Sequence, residues 1–126
     1  MTEADLSGQR VLVVEDEPLI AVDMIDQLNE LGADCIGPAL TLQEALDLVE
    51  SEHFNCAILD VRVGSDNVFP VARRLTEKRI GFVFHTGDGD ETALQNDWPG
   101  CRVIKKPATP ASLIAAVKVV LAPSLG

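Results

Sequence analysis

Tyrosine is absent from this chain, tryptophan occurs once, and aromatic residues make up only 4% of the sequence. A flavin-binding α/β module needs aromatic faces around its isoalloxazine, and little is present to supply them. Basic residues are also scarce: 10 Lys and Arg stand against 20 Asp and Glu, giving a formal net charge of −10. Phosphate-backbone binding relies on Lys and Arg clusters, so a direct nucleic-acid partner is not expected. No apolar run approaches the roughly 20 residues that cross a membrane. The first ten residues are polar and lack the apolar centre of a signal peptide, so a cytoplasmic protein with no membrane partner is expected. The three cysteines, Cys35, Cys56 and Cys101, are odd in number and far apart, which argues against a disulfide framework or a zinc knuckle and for buried, reduced thiols. There is no internal repeat or low-complexity tract. The 126 residues fit one domain, 1–126 with a core of about 9–122, and leave no room for a separate effector domain.

What is present is an alternation of short apolar runs with stretches of helical periodicity, the pattern of βα units in a parallel sheet. After the first run, Val11-Leu12-Val13-Val14, the residues Ile20, Met24, Leu28 and Leu31 recur at helical spacing, and Gly32 stops that helix. A short second strand is expected around Cys35-Ile36, ending at Gly37-Pro38. Thr41 and Glu44 then form a capping box for a helix whose apolar face is Leu42, Ala45, Leu46 and Val49, with His53 near its end. The third strand is Cys56–Asp60. Gly64-Ser65-Asp66-Asn67 reads as a polar loop, and Val68, Val71, Ala72 and Leu75 as a third helical stripe with Pro70 near its start. The fourth strand is expected at 80–84 and the fifth at 102–105. The segment 87–100 holds three glycines and few apolar residues, so its helix should be short and poorly anchored, and the segment mobile. Thr109-Pro110 caps a last helix with Leu113, Ile114, Val117, Val120 and Leu121 on its apolar face. Five such strands in one small domain imply a doubly wound α/β fold, a five-stranded parallel sheet in the order 2-1-3-4-5 with helices on both faces.

In an open parallel sheet, ligands gather beyond the carboxyl ends of the strands. Here the ends carry Glu15-Asp16-Glu17, Asp60, His85-Thr86-Gly87 and Lys105-Lys106-Pro107. The order 2-1-3-4-5 makes the first and third strands neighbours, which would crowd Glu15, Asp16 and Asp60 together. Such a cluster is tolerable when a hard divalent cation neutralises it, and Mg²⁺, which accepts a few carboxylates, waters and a phosphate oxygen, fits. The alternative for Glu15-Asp16-Glu17 is an acidic first helical turn. Asp60, exposed at a strand end, can act as a nucleophile that forms an acyl phosphate, or can simply form a turn. Thr86 offers a hydroxyl and Lys106 a cation to phosphoryl oxygens. A cis bond between Lys106 and Pro107 would be one way to aim that cation into the crevice.

The ordered set Val13-Val14-Glu15-Asp16-Glu17, Leu59-Asp60-Val61, His85-Thr86-Gly87 and Lys105-Lys106-Pro107 resembles the receiver domain of two-component response regulators, over residues 11–121. Finer details, Phe69-Pro70-Val71-Ala72 and Gly81-Phe82-Val83-Phe84-His85-Thr86-Gly87, are similar to the stand-alone alphaproteobacterial receivers that carry a Phe-Ala-Thr-Gly-type motif. The resemblance implies the flavodoxin-like receiver fold, Asp60 as phosphoacceptor, and Mg²⁺ held by Glu15, Asp16, Asp60 and the backbone carbonyl of Arg62. Thr86 would be the switch hydroxyl and Lys106 the phosphate-binding lysine, with His85, Gly87 and Asp88 bordering the site. The implied donor is a histidine kinase or a histidine phosphotransfer protein, and the implied output is contact with a downstream protein target.

The chain departs from that pattern where an aromatic switch residue usually stands. Val103 lies three residues before the lysine, Asp88 and Gly89 follow Thr86-Gly87, and His85 replaces the alanine of the motif. Activation is therefore expected to rest on Thr86 and the 87–100 segment. An aspartyl-nucleophile, Mg²⁺-dependent phosphatase would share the strand-end logic, but it usually has a second Asp two residues after the nucleophile, and Arg62 stands there. A degenerate receiver that binds partners without phosphorylation is the other alternative, against which the intact acidic, Thr and Lys positions weigh. Neither His53 nor His85 has a companion at metal-ligand spacing. Trp98, before Pro99, is expected to pack over the core, and Cys101 at the start of the fifth strand.

Overall fold

The computed structural model describes residues 6–87 and 91–121. Five parallel strands form the sheet: β1 (Arg10–Val14), β2 (Asp34–Ala39), β3 (Cys56–Asp60), β6 (Gly81–Thr86) and β7 (Val103–Lys105). Between β3 and β6 lies a small antiparallel pair, β4 (Arg62–Val63) and β5 (Asp66–Asn67). The sheet order β2-β1-β3-β6-β7 is the expected 2-1-3-4-5 arrangement, the extra pair accounting for the shift in numbering. The helices are α1 (Pro18–Glu30), α2 (Leu42–Ser51), α3 (Phe69–Glu77), α4 (Glu91–Asp97) and α5 (Pro110–Leu121).

Strand alternation divides the core. Val11, Val13, Cys56, Ile58, Val83 and Ile104 face α1 and α5, where they pack with Met24, Leu28, Leu113 and Val117. Leu12, Val14, Ala57, Leu59 and Phe84 face the other way, onto Ala45, Val49, Val71, Ala72, Leu75 and Leu94 of α2, α3 and α4. β3 is buried at all five positions, as befits the central strand of a sheet covered on both faces. Gly81 permits close contact with α5, because a Cβ there would lie 2.7 Å from the Val120 carbonyl oxygen.

Several helix starts are set by short-range chemistry. The Thr41 hydroxyl accepts from the Glu44 N–H at 3.0 Å, while the Glu44 carboxylate reaches back to that hydroxyl at 3.3 Å. Thr109 accepts from the Ser112 N–H at 3.1 Å, and Ser112 Oγ accepts from the Thr109 N–H at 2.9 Å.

Some expectations need correction. β2 does not stop at Gly37-Pro38. It runs to Ala39 through a register shift against β1, at an edge where the missing proline N–H costs no ladder bond, and Gly37 sits at φ +103°. The 64–67 loop is the turn and second strand of the β4–β5 hairpin. β6 extends through His85 and Thr86, because Asp60 of β3 pairs with His85 and Lys105 of β7 with Thr86. His53 lies beyond the end of α2, where its carbonyl accepts from the Arg10 guanidinium at 2.6 Å. Of the cysteines only Cys56 is buried, its thiol pushed up by burial to about 12; Cys35 and Cys101 are half-buried. Trp98 does pack over the core, against Phe69, Phe82 and Phe84 at 5.7–6.0 Å. The helix of the glycine-rich segment is short, seven residues, with Leu94 as its buried residue.

Candidate phosphoacceptor and cation site

Three adjacent strands bring three ionisable residues to one rung of the sheet. β1 pairs Val14 with Leu59 of β3, so Glu15 and Asp60 follow side by side, and Asp60 pairs with His85 of β6. Because side chains alternate, Glu15, Asp60 and His85 share the α1/α5 face with Val13, Ile58 and Val83. Lys106, two residues beyond the buried Ile104 of β7, enters from the same side. Its peptide bond to Pro107 is cis. The Lys106 N–H donates to the Thr86 carbonyl at 2.8 Å, which holds the start of this turn against β6.

The ammonium of Lys106 lies 3.3 Å from Glu15 Oε1 and 3.3 Å from Asp60 Oδ2. His85 Nδ1 lies 3.6 Å from the same Glu15 oxygen. Glu15 Oε2 accepts from the Glu17 N–H at 3.1 Å. Asp16 Oδ2 accepts from the Gly64 N–H at 2.8 Å, tying the end of β1 to the hairpin turn. One carboxylate oxygen from each of Glu15, Asp16 and Asp60 lies within 4.8 Å of the others.

Burial is deeper than the sequence implied. Asp60 is 6% exposed and Glu15 fully buried, so the expectation of an exposed Asp60 is corrected: it ends a strand paired on both sides, and the Lys106 ammonium lies 3.3 Å from its carboxylate. The two carboxyls cannot both be charged cheaply. Burial, then the hydrogen bond and charge of Glu15, raise Asp60 to about 7 against the pull of Lys106. For Glu15 burial alone would raise the pKa, but His85, the hydrogen bond from Asp60, the Glu17 N–H and the Lys106 charge together hold it down at about 2. Of the two, Asp60 is the carboxyl pushed toward its protonated form, and Glu15 the one held toward the anion beside Lys106.

Thr86 is buried, and its hydroxyl donates to the Gly87 carbonyl at 3.3 Å. By alternation it faces the α4 side of the sheet, one residue away from the acidic rung. Arg62 is exposed on β4, its backbone set by pairing with Asn67. Asp88 lies outside the described residues. Glu17 is the exposed N-cap of α1, which begins at Pro18 and has no acidic residue in its first turn, so the acidic-turn alternative does not hold. A pocket lined by Leu19, Ile20, Met24, Pro107 and Ala108 shares His85 and Lys106 with the site but none of the three carboxylates.

The donor set fits Mg²⁺. It offers hard carboxylate oxygens from adjacent strands, and Glu15 Oε1 is buried without a hydrogen-bond partner. Sequence reasoning missed how closely His85 engages this cluster. The signal was available in the alternation of Val83 and His85, in step with Ile58 and Asp60.

Residues 11–118 match the family described as the response regulator receiver domain. The chain belongs to that family. It is 36% identical over 80 residues to the transcriptional regulatory protein PdtaR of Mycobacterium tuberculosis, covering 63% of this chain and 39% of that protein. It is 29% identical over 117 residues to the phyllosphere-induced regulator PhyR of Methylorubrum extorquens, covering 90% and 43%. The chain thus spans less than half the length of these two relatives. Among solved structures, SdrG from Sphingomonas melonis superposes with a TM-score of 0.80 at 35% identity, over 97% of this chain and 100% of that one. Its structural neighbours include stand-alone receiver proteins from alphaproteobacteria. No helix among the described residues is long and apolar enough to cross a membrane.

Proposed function

We propose that this receiver is a single signalling domain that accepts a phosphoryl group on Asp60 from a phosphohistidine of a histidine kinase or histidine phosphotransfer protein. The observation that carries this reading is the meeting of three carboxylates within 4.8 Å of one another, with the Lys106 ammonium 3.3 Å from two of them. Glu15, Asp16, Asp60 and the Arg62 carbonyl would hold Mg²⁺. The cation, when bound, neutralises charge that develops on the phosphoryl oxygens.

In the transfer, an Asp60 carboxylate oxygen forms a bond to phosphorus as the phosphorus–nitrogen bond of the donor breaks, and the electron pair leaves with the imidazole. Asp60 reacts as the carboxylate, so a proton held on it passes to solvent first. Lys106, already placed between Asp60 and Glu15, then pairs with a phosphoryl oxygen. The Thr86 hydroxyl would exchange its bond to the Gly87 carbonyl for another such oxygen, and so pull on the segment that leads into α4. Output by contact with a downstream protein follows from a change on that face. Gly87 would border the site there. Kinetics with a small-molecule phosphodonor test the reading: the adduct should form with Mg²⁺ and fail to form in chelator. Equal rates in both would contradict it.

A further inference from the structure

His85 is 1% exposed, and neither ring nitrogen has a hydrogen-bond partner among the described residues. Leaving a buried donor unpaired costs about 1–3 kcal/mol, so an imidazole here asks for a reason. An apolar side chain would serve equally well to fill the α1/α5 face beside Val83. The ring is also held in place, since its backbone pairs with Asp60 on one side and Ile104 on the other. Nδ1 faces Glu15 Oε1 at 3.6 Å, a buried oxygen that has the Lys106 ammonium 3.3 Å away but accepts no hydrogen bond. That gap is about 0.4 Å beyond a hydrogen bond, so a small movement of the carboxylate closes it.

We infer that His85 is a positioning residue of the cation site: its Nδ1–H holds Glu15 Oε1 and thereby fixes the carboxylate that stands beside Asp16 and Asp60. This rests on the reading of those carboxylates as a Mg²⁺ site. Nδ1 donates in either the Nδ1–H tautomer or the imidazolium, so the role does not depend on the charge of the ring. Partners that orient a metal site's carboxylates from outside typically change affinity by about 10–100-fold when removed. His85 would act here through Glu15 without touching the ion.

The test is Mg²⁺ titration calorimetry on the full chain and on three variants. His85→Ala should weaken Mg²⁺ about tenfold or more. His85→Asn, whose amide N–H takes the place of Nδ1–H, should recover most of the loss, whereas His85→Gln, whose amide lies nearer the Nε2 position, should not. If His85→Ala fails to fold, the Asn and Gln variants carry the comparison. Long-range ¹H–¹⁵N spectra of the Mg²⁺-loaded wild type should show a proton on Nδ1. Unchanged affinity in His85→Ala, equal affinities of the Asn and Gln variants, or a proton on Nε2 alone would overturn the inference while leaving the Mg²⁺ reading intact. A wild type that binds no Mg²⁺ would remove the Mg²⁺ reading and the inference with it.

Discussion

Two quartets of side chains lie on opposite faces of the same sheet, and they are built on different terms. On the α2–α4 face, Phe69, Phe82, Phe84 and Trp98 form a closed aromatic group in which every ring meets at least two others at 5.4–6.0 Å. On the α1/α5 face, Glu15, Asp60, His85 and Lys106 meet within 3.3–3.6 Å, yet Glu15 Oε1 and both His85 nitrogens lack hydrogen-bond partners. The aromatic group is complete and serves stability. The polar group has bonding capacity left over, which a cation and a phosphoryl group can satisfy, and it raises the free energy of the metal-free fold in exchange. The aromatic packing and the acidic cluster thus lie on opposite faces of the sheet, and Thr86, in step with Phe84, lies on the aromatic face.

The largest break in this comparison is on the aromatic side. Phe84 is fully buried among three rings, so Phe84→Ala should cost about 3–5 kcal/mol of stability in urea unfolding followed through Trp98, the one tryptophan. A loss under 1 kcal/mol would mean the aromatic group is not the stabilising half.

The polar side should respond with the opposite sign. Asp60 is raised in the folded chain to about 7 from an ordinary 3.8, so between those values the folded state holds a proton that the unfolded state has lost. Stability from this group therefore falls as pH rises from about 4 to about 7, and the full penalty stands above that window. Glu15, held at about 2, contributes stability above its ordinary value of 4.5 that is lost as pH falls toward 2. Asp60→Asn should accordingly stabilise the metal-free protein by roughly 2–4 kcal/mol at pH 8, a gain that disappears near pH 4. A destabilised Asp60→Asn at pH 8 would mean the pair is not strained.

A smaller effect sharpens the same point. Mg²⁺ would compete with the Asp60 proton, so its affinity should fall by about tenfold between pH 8 and pH 6. Calorimetric titration at the two pH values checks this, and a flat profile would mean that Asp60 is not raised.

Much of this was legible in the sequence, because strand ends announce themselves when an apolar run meets a charged residue. Cys56–Asp60 is the clearest case, a strand whose bounds were read without error. The order of the sheet and the meeting of Glu15, Asp16, Asp60 and Lys106 followed from topology. The β4–β5 hairpin was not legible, since Gly64 to Asn67 carries no alternation of its own and is ordered through contacts such as the Asp16 bond to the Gly64 N–H. Nor was the extension of β2 past Gly37-Pro38, where a glycine and a proline signal a stop that the edge position overrides. The burial of Asp60 and His85 escaped for a related reason: local pattern shows which face a residue takes, and not how far distant parts of the chain will cover it.

The most direct test of the central claim, that Asp60 is the phosphoacceptor, is intact-mass spectrometry of wild type and Asp60→Asn after incubation with a small-molecule phosphodonor and Mg²⁺. The account predicts one phosphoryl adduct on the wild type, mapped to the peptide that contains Asp60, and none on the variant. A stoichiometric adduct on Asp60→Asn would contradict it.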